Sequence, residues 1–330
     1  MRVRALVLAA GLGTRLRPLT ADTPKPLLPI RGEPILGHTL RRLAAAGCEA
    51  AAVNLHHHGD QIRRALGTVL AGMPLTWSEE PLLLGTLGAL QPLAGFFAGA
   101  DLGLIVNGDS LCRWPLAALL RRHLASGAPA TLLLTARADP REFGGGVAVG
   151  RAGTLLSLRP AAASPRPARD VRRCVFAGAH VLSPGLLARI AANPAPVPAD
   201  IVRDLYEPLL ARQPGCLATL TTGRHWHDLG TPRRFLAAAL DWARAAGRGG
   251  WVSRAAEVSS RAAVRRASVE AGCRVAAGAV VEDSVLLPGA TVGAGCEVRG
   301  SILGPGVELA AGNHVSDQVV VAGGERSPLC

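Results

Sequence analysis

Short apolar runs alternate with amphipathic segments along the first two thirds of the sequence. The apolar runs are rich in Val, Leu and Ala, which predicts buried strands at residues 3–9, 50–55, 74–77, 102–106 and 130–135. Apolar residues spaced three or four positions apart predict helices at residues 35–46, 60–70, 116–125, 201–212 and 231–246. This alternation predicts an α/β fold with a mostly parallel sheet, whose ligand lies beyond the carboxyl ends of the strands.

The hydrophobic period changes after a glycine-rich stretch at residues 247–250, which is interpreted as a linker. Aliphatic residues then recur every six positions, with a loss of one position between some of them, and glycines cluster between them. The aliphatic positions are Val252, Val258, Val264, Val269, Val275, Val280 or Val281, Leu286, Val292 and Val298. This pattern is typical of a hexapeptide β-helix, in which each short strand buries one aliphatic side chain. Two domains are predicted, at residues 1–246 and 251–330.

Composition excludes a disordered chain. Hydrophobic residues make up 49% of the 330 residues and charged residues 18%, so the chain can bury a sizeable core. The formal net charge is +12, and among the 36 basic residues the single lysine is Lys25. This charge suits anionic partners such as nucleotides and sugar phosphates. The arginines are scattered, and no nucleic-acid surface is predicted.

The cysteines and the apolar segments bear on location. Seven cysteines are an odd number without a C-x-x-C pair, which argues against a disulfide framework and a cysteine zinc site and favours a reducing cytoplasm. The apolar residues 5–11 lead directly into a polar loop, so they are predicted to be a strand and no signal peptide. Residues 81–100 carry no charge, but prolines and glycines interrupt them, which predicts a loop plus a helix and no membrane partner.

The first predicted strand leads into a glycine-rich loop that can bind phosphate. Gly11 and Gly13 would let backbone N–H groups approach an anion closely. Arg15 can hold phosphate oxygens through its planar guanidinium, and Lys25 adds a compact positive charge. The loop is not a Walker A loop, because no Gly-Lys-Ser/Thr occurs, and it is not a dinucleotide fingerprint, because Leu16 takes the third glycine position.

Residues 8–29 resemble the signature of the sugar-1-phosphate nucleotidyltransferases, Gly-x-Gly-Thr-Arg-Leu-x-Pro-Leu-Thr followed by Pro-Lys-Pro-Leu, and match it at every one of those positions. The resemblance implies a Rossmann-like nucleotidyltransferase domain. It also implies a reaction that joins a nucleoside triphosphate to a sugar 1-phosphate and releases pyrophosphate. Several branches of this family carry a left-handed β-helix after the domain; with three hexapeptides in each coil, residues 251–330 would form roughly four coils.

The resemblance assigns roles to individual residues. Arg15 and Lys25 are the expected catalytic residues, which would neutralise the α-phosphate and the leaving group. The segment at residues 84–89 is similar to the family's Leu-Gly-Thr-Ala-Gly-Ala, which lies near the base. The expected nucleotide-binding residues are Ala9, Ala10, Gly11, Gly13, Thr14, Arg15, Gly85, Thr86 and Gly88.

The resemblance also implies a metal site and a sugar-phosphate site. Asp109 follows an apolar strand, and Asp228 lies in Trp-His-Asp-Leu-Gly-Thr-Pro; both match the family's metal-binding aspartates, so Mg²⁺ is the expected cofactor. Gly145 belongs to a glycine segment that approaches the sugar in the family. Arg159 stands where the family commonly has the lysine that contacts the sugar phosphate, and it is expected to replace that lysine.

Other titratable residues give weaker signals. Three consecutive histidines, at residues 56–58, make a poor metal cage because neighbouring side chains of an extended chain point to opposite sides. Glu79 and Glu80 could help to position nucleotide or metal, or could be solvated charges. His314 lies in the predicted β-helix, where hexapeptide acyltransferases use a histidine base; a structural role is preferred for it.

Within the family, the segment at residues 84–89 together with the β-helix favours an enzyme similar to mannose-1-phosphate guanylyltransferase. The alternatives are a glucose-1-phosphate thymidylyl- or uridylyltransferase, another envelope-sugar nucleotidyltransferase, or a catalytically silent regulatory subunit that binds nucleotide sugars. The intact Arg15, Lys25, Asp109 and Asp228 argue against the silent subunit. An open β-helix end exposes strand edges, so a homo-oligomer is expected.

Overall fold

The fold is that of a computed structural model, which describes residues 1–158, 171–247 and 249–329. The low-complexity segment at residues 161–167, predicted to be an exposed loop, lies outside these ranges. The predicted sugar-phosphate residue Arg159 also lies outside the described residues.

The chain forms two compact units that do not follow its linear order. The first unit contains Met1–Gly11 and Thr39–Trp226, and the second contains Leu12–His38 and His227–Cys330. Most of the predicted phosphate-binding motif, residues 8–29, therefore groups with the C-terminal part of the chain. The sequence patterns did not indicate this grouping.

Strands and helices alternate over the first 244 residues wherever the structure describes them. The strands are β1 (Val3–Leu8), β2 (Pro29–Ile30), β3 (Glu33–Pro34), β4 (Ala50–Leu55), β5 (Val69–Leu70), β6 (Met73–Glu79), β7 (Leu102–Asn107), β8 (Ser110–Cys112), β9 (Ala130–Thr135), β10 (Val147–Val149), β11 (Leu155–Ser157), β12 (Arg172–Leu182), β13 (Ala218–Thr222) and β14 (Trp226–Asp228). The helices are α1 (Ile35–Ala45), α2 (Gly59–Leu66), α3 (Gly85–Gly88), α4 (Ala94–Phe97), α5 (Leu116–Ser126), α6 (Pro184–Ala192), α7 (Glu207–Arg212) and α8 (Pro232–Arg244). Short 3₁₀ turns lie at Thr14–Leu16, Lys25–Leu27, Pro140–Phe143 and Arg151–Gly153, and a π-helical turn lies at Val202–Tyr206.

The first unit is built around a mixed sheet. Strands β7, β1, β4 and β6 run parallel to one another, and β13 runs parallel to β9. Strand β12 runs antiparallel between β7 and β9 and joins the two parallel groups. Its register against β9 shifts between Phe176 and His180, so its first half can also pair with β10. The prediction of a mostly parallel α/β sheet is confirmed.

The predicted strands and most predicted helices are confirmed, one helix end is wrong, and several elements were not predicted, among them β12, β13 and α6. The helix predicted at residues 60–70 is wrong at its end: α2 stops at Leu66, where Gly67 has φ 68°, and Val69–Leu70 is a strand. The sequence analysis missed β12, which begins with two arginines and therefore lacks the wholly apolar composition of the other central strands. Residues 81–100 form the two short helices α3 and α4.

The C-terminal part of the second unit is a β-helix with three sheets, whose strands run parallel except the last strand, which pairs antiparallel with the strand before it. Its strands are β15 (Gly250–Val252), β16 (Glu257–Val258), β17 (Ala263–Arg265), β18 (Ala267–Val269), β19 (Arg274–Val275), β20 (Val280–Glu282), β21 (Val285–Leu286), β22 (Thr291–Val292), β23 (Glu297–Arg299), β24 (Ile302–Leu303), β25 (Glu308–Leu309), β26 (His314–Ser316), β27 (Gln318–Val320) and β28 (Arg326–Pro328). Val258 pairs with Val275, and Val275 pairs with Val292, so one coil takes 17 residues (275 minus 258). Helix α8 packs against β15, β18 and β21.

Each coil has 17 residues, one fewer than three hexapeptides would give. The lost position lies at one tight corner. The corner positions are Arg266, Asp283, Gly300 and Asp317, which follow one another every 17 residues and all have φ between 47° and 54°. A repeat of six, six and five residues therefore replaces three equal hexapeptides. The single lost position that the aliphatic spacing indicates after Val264 recurs in every coil, and the prediction of a hexapeptide-type β-helix is confirmed.

Two further findings concern the cysteines and the helices. The six cysteines that the structure describes, at positions 48, 112, 174, 216, 273 and 296, form no disulfide. Among the described residues, no helix has both the length and the apolar character needed to cross a bilayer.

A buried polar pair connects β12 with the π-helical turn of the first unit. Nδ1 of His180 is hydrogen-bonded to the hydroxyl of Tyr206, and both side chains are almost completely buried. Burial lowers the pKa of His180 to about 3 and raises the pKa of Tyr206 well above its usual value. His180 is therefore neutral in the folded protein at physiological pH.

This pair predicts a loss of stability in mild acid. Because the unfolded chain binds a proton at His180 near pH 6.5 and the folded chain does not, the free energy of unfolding should fall below pH 6.5 by at most about 1.4 kcal/mol per pH unit from this group. His180→Gln should flatten the pH slope in urea denaturation series between pH 7 and pH 4. Exposed His57→Gln is the control and should keep the wild-type slope. Equal slopes for wild type and His180→Gln would contradict the prediction.

Candidate active site

In the first unit, the start of the phosphate motif is fixed at the carboxyl ends of parallel strands. The backbone N–H of Ala9, directly after β1, donates to Oδ1 of Asn54 at 2.7 Å. The N–H of Gly108, directly after β7, donates to the carbonyl of Leu8 at 2.8 Å. Ala9 and Ala10 are buried, whereas the next residue of the motif, Gly11, is exposed. This is the edge of the sheet where the sequence analysis expected the ligand.

A buried carboxylate extends this hydrogen-bond chain. Nδ2 of Asn54 donates to Oε1 of Glu80 at 2.8 Å, and the N–H of Leu84 donates to Oε2 at 3.0 Å. Glu80 is 3% exposed, whereas Glu79 is exposed and paired with Arg63. Of the two glutamates that the sequence analysis left open, Glu80 is thus the one that fixes local structure. It connects the end of β4 to the predicted base-binding segment.

The segment at residues 84–88 is held tightly by the chain that precedes the π-helical turn. Gly85 has φ +80°, and a Cβ there would lie 2.4 Å from the carbonyl oxygen of Ala199, so no other residue fits. The hydroxyl of Thr86 accepts a hydrogen bond from the N–H of Ile201 at 2.8 Å. Gly88 is buried against Leu84, its position leaving little room for a side chain. The three predicted nucleotide-binding residues of this segment therefore lie in one helical turn, α3.

Two more predicted residues of the first unit lie in loops after strands. Asp109 is half-buried between β7 and β8, with the hydroxyl of Ser110 3.5 Å from its Oδ1. Gly145 closes a turn by donating its N–H to the carbonyl of Pro140 at 2.9 Å. The carbonyl of Gly145 accepts from the guanidinium of Arg173 at 3.1 Å.

In the second unit, the rest of the phosphate motif folds around Gly13. This residue has φ +63°, and a Cβ there would lie 3.3 Å from the Cβ of Lys25. The hydroxyl of Thr20 donates to the carbonyl of Gly13 at 2.8 Å. Lys25 is only 7% exposed, whereas Thr14 and Arg15 are exposed. The left-handed backbone of Gly13 therefore creates the place in which the single lysine packs.

The predicted catalytic arginine and one predicted metal ligand meet in the second unit. A Cβ on Gly230 would lie 3.0 Å from Oδ2 of Asp228 and 3.1 Å from Nη2 of Arg15. Oδ2 of Asp228 also accepts a hydrogen bond from Nη1 of Arg234 at 2.5 Å. Arg15 and Asp228 are 213 positions apart in the sequence (228 minus 15) and face the same small space beside Gly230.

Sequence reasoning missed Arg234, whose guanidinium donates to the carboxylate of Asp228. Arg234 lies in the first turn of α8, where a positive charge is unfavourable for the helix dipole unless it is paired. That unusual position was the available signal. His227, next to Asp228, has its Nε2 3.0 Å from Oδ2 of Asp241 on the same helix. Asp109 belongs to the first unit and Asp228 to the second.

The weaker candidates have local structural roles. Nδ1 of His56 bonds the backbone carbonyl of Glu80 at 2.7 Å, and His58 takes a left-handed conformation at the start of α2. His314 lies exposed on β26, and its carbonyl accepts from Arg326. These contacts agree with the structural roles preferred for the histidines.

Comparison with known protein families identifies both parts of the chain. The model of the Nucleotidyl transferase family matches residues 4–244, and that of the GlmU-like C-terminal hexapeptide matches residues 238–320. The chain belongs to the nucleotidyl transferase family.

Several members of this family are similar over much of the chain. The mannose-1-phosphate guanylyltransferase of Mycobacterium tuberculosis is 32% identical over 244 residues, which are 74% of this chain and 65% of that protein. The mannose-1-phosphate guanylyltransferase catalytic subunit beta of Drosophila melanogaster is 30% identical over 236 residues, 71% of this chain and 61% of that protein. The alignments thus span less than two thirds of the length of these relatives.

A solved structure shares the fold of a large part of the chain. HddC from Yersinia pseudotuberculosis, crystallised in complex with GMP-PN, superposes with a TM-score of 0.58 at 20% identity. The match covers 72% of this chain and 99% of the HddC chain. It shows a common fold.

The central position of Asn54 gives a stability prediction. Asn54→Ala leaves the N–H of Ala9 and one oxygen of Glu80 without their partner, so the free energy of unfolding should fall by about 2 kcal/mol. Urea denaturation measures this change. Asn193→Ala, at an exposed asparagine of the same unit, is the control and should change stability by less than about 0.5 kcal/mol. Similar losses in the two variants would contradict the role assigned to Asn54.

Proposed function

We propose that this chain transfers a nucleotidyl group from a nucleoside triphosphate to a sugar 1-phosphate and releases pyrophosphate, with GTP and mannose 1-phosphate as the preferred pair. The observation that carries the proposal is the meeting of Arg15 and Asp228 beside Gly230. Two motifs that the family's chemistry requires, far apart in sequence, are brought to one place. The relatives named mannose-1-phosphate guanylyltransferase, at about 30% identity, support the choice of substrates.

The residue types suit the chemistry of this reaction. An oxygen of the sugar phosphate attacks the α-phosphorus while pyrophosphate departs on the opposite side. Because this oxygen is already an anion, no general base is required, and catalysis consists of positioning and charge stabilisation. The guanidinium of Arg15 binds phosphate oxygens as a fork, and the ammonium of Lys25 stabilises the charge that develops on the leaving group. Burial of Lys25 strengthens this interaction, because less water screens it.

Mg²⁺ is the proposed cofactor, with Asp109 and Asp228 as its protein ligands. Both residues offer carboxylate oxygens, the donors that this hard cation prefers, so the donor chemistry fits. When bound, Mg²⁺ would neutralise part of the charge on the phosphate oxygens. Arg234 holds the carboxylate of Asp228 in place through Oδ2. Gly145 and Arg159 remain the predicted contacts to the sugar phosphate.

The cysteines support a cytoplasmic location. The six that the structure describes are unpaired, and the four most deeply buried of them lie in the hydrophobic interior or the β-helix core. A reducing compartment keeps such thiols free. We therefore place the reaction in the cytoplasm.

A panel of nucleoside triphosphates and sugar 1-phosphates tests the proposed activity. Pyrophosphate release should be fastest with GTP and mannose 1-phosphate, and Lys25→Ala should lower turnover at least about a hundredfold without a change in melting temperature. Lys25→Arg should also be impaired, because the guanidinium is wider than the ammonium and Lys25 packs against Gly13. Faster turnover of another pair would reassign the substrates. Nucleotide-sugar binding without turnover of any pair would favour a regulatory subunit.

We further propose that the chain forms a homo-oligomer through the first coil of the β-helix. Within the described part of this coil, β15, β16 and β17 each pair with another strand on one side. Val252 and Val258 in this coil are 44% and 36% exposed. A second copy could cover these strand edges and apolar side chains.

Light scattering coupled to gel filtration tests the oligomer. The wild-type chain should elute as a dimer or a larger assembly, and Val258→Glu should shift the mass toward the monomer because it places a charge on the covered surface. Exposed Val69→Glu, in the first unit, is the matched control and should leave the mass unchanged. A monomeric wild type at high micromolar concentration would contradict the proposal.

A further inference from the structure

A carboxylate of the β-helix holds the turn between β2 and β3. This turn consists of Arg31 and Gly32, which have φ 57° and 76°. The N–H of Arg31 donates to Oε1 of Glu270 at 2.8 Å, and the N–H of Gly32 donates to Oε2 at 2.7 Å. Both oxygens of one carboxylate are therefore bonded to consecutive backbone amides, and 238 positions separate Glu270 from Gly32 along the chain.

The surroundings of Glu270 make this contact specific. Glu270 is 1% exposed, and burial raises its pKa while the N–H bonds from Gly32 and Arg31 lower it. A buried carboxylate is costly unless its oxygens are bonded, so the position favours one geometry of the turn. The ring of Trp251 lies 3.4 Å from the place that a Cβ on Gly32 would take, and it closes the other side of the turn. Glu270 and Trp251, both in the first coils of the β-helix, therefore lie against the two residues of the turn, Arg31 and Gly32.

The turn is connected to Lys25 by short, ordered contacts. Ile30 pairs with Glu33 in the β2–β3 hairpin, and its carbonyl is bonded to Nε2 of His38 at 2.8 Å. Directly before the hairpin, the N–H of Leu28 donates to the carbonyl of Lys25 at 3.1 Å. Leu28 and Ile30 are completely buried. A displacement of the turn would therefore be transmitted to the backbone of Lys25.

We propose that Glu270 is a positioning residue for Lys25: through its two hydrogen bonds to the β2–β3 turn, the β-helix fixes the loop that carries this lysine. The inference rests on the proposed function, because it assigns a role to Glu270 in the same phosphate site. Glu270 itself touches no substrate. The β-helix then contributes to turnover through the position of Lys25, in addition to any role in oligomerisation.

Substitution of Glu270 tests the inference on the full-length protein. Glu270→Gln replaces one acceptor oxygen by an NH₂ group that faces a backbone N–H, and Glu270→Asp keeps the charge but shortens the reach. Glu308→Gln, at an exposed glutamate of the same β-helix outside its first coil, is the matched control. The readouts are kcat and KM for pyrophosphate release with the best substrate pair, hydrogen exchange of residues 24–34, and the melting temperature.

We expect Glu270→Gln to lower kcat about tenfold to a hundredfold, with KM changed by less than about threefold, because a catalytic group displaced by a fraction of an ångström loses its alignment. Exchange of residues 24–34 should become faster, and the control should match wild type in every readout. Glu270→Asp should lie between wild type and Glu270→Gln, and it remains informative if the glutamine variant fails to fold. Wild-type kcat in either folded variant, despite faster exchange of the turn, would overturn the inference.

The exchange measurement separates this inference from the proposed function. If the wild-type chain releases no pyrophosphate with any pair, the proposed function fails. Faster exchange at residues 24–28 in Glu270→Gln, absent in Glu308→Gln, would still support the conclusion that the β-helix fixes the segment of Lys25. Unchanged exchange there would overturn it, whatever the activity.

Discussion

Positive charges at a phosphate-binding motif have to be held in place before any phosphate is bound, because they repel one another and lose solvation when they are buried. In the second unit of this protein, carboxylates and backbone geometry meet this requirement. Asp228 bonds Arg234 and lies with Arg15 beside Gly230, and Lys25 packs against the left-handed Gly13. These contacts order Asp228, Arg15 and Lys25 relative to their neighbours, and catalysis by positioning and charge stabilisation needs such order.

The β-helix supplies a rigid support for part of this arrangement. Its 17-residue coils repeat one tight corner and align their strands in three sheets, so side chains at a given position of the coil have fixed directions. Because of this regularity, Glu270 and Trp251 have fixed positions against the β2–β3 turn. Residues 12–38 consequently belong to the same compact unit as the β-helix. The β-helix and most of the phosphate-binding motif therefore lie in one compact unit, although more than 200 residues separate them in the chain.

Much of the fold and part of the site could be predicted, for identifiable reasons. Continuous apolar runs such as Val3–Leu8 indicate buried parallel strands, and the spacing of aliphatic residues after residue 250 indicates the β-helix. Strand β12 could not be found in this way, because it begins with two arginines and therefore lacks a continuous apolar run over its whole length. Asn54 was not singled out, and the role of Glu80 stayed open, because isolated polar residues form no pattern; the importance of both comes from their burial and their hydrogen bond to each other.

The sequence by itself determined the type of sheet, the repeat of the β-helix and the local chemistry of the phosphate motif, because each of these depends on neighbouring residues or on a short period. Lys25 could be identified as a candidate catalytic residue from the sequence, because it is the only lysine of the chain and lies within this motif. Only the tertiary structure decided which distant residues meet: Arg15 with Asp228, Asn54 with Glu80, and Glu270 with the turn at Gly32. Such contacts are selected by packing and by the need of buried polar groups for partners, and neither leaves a periodic trace in the sequence.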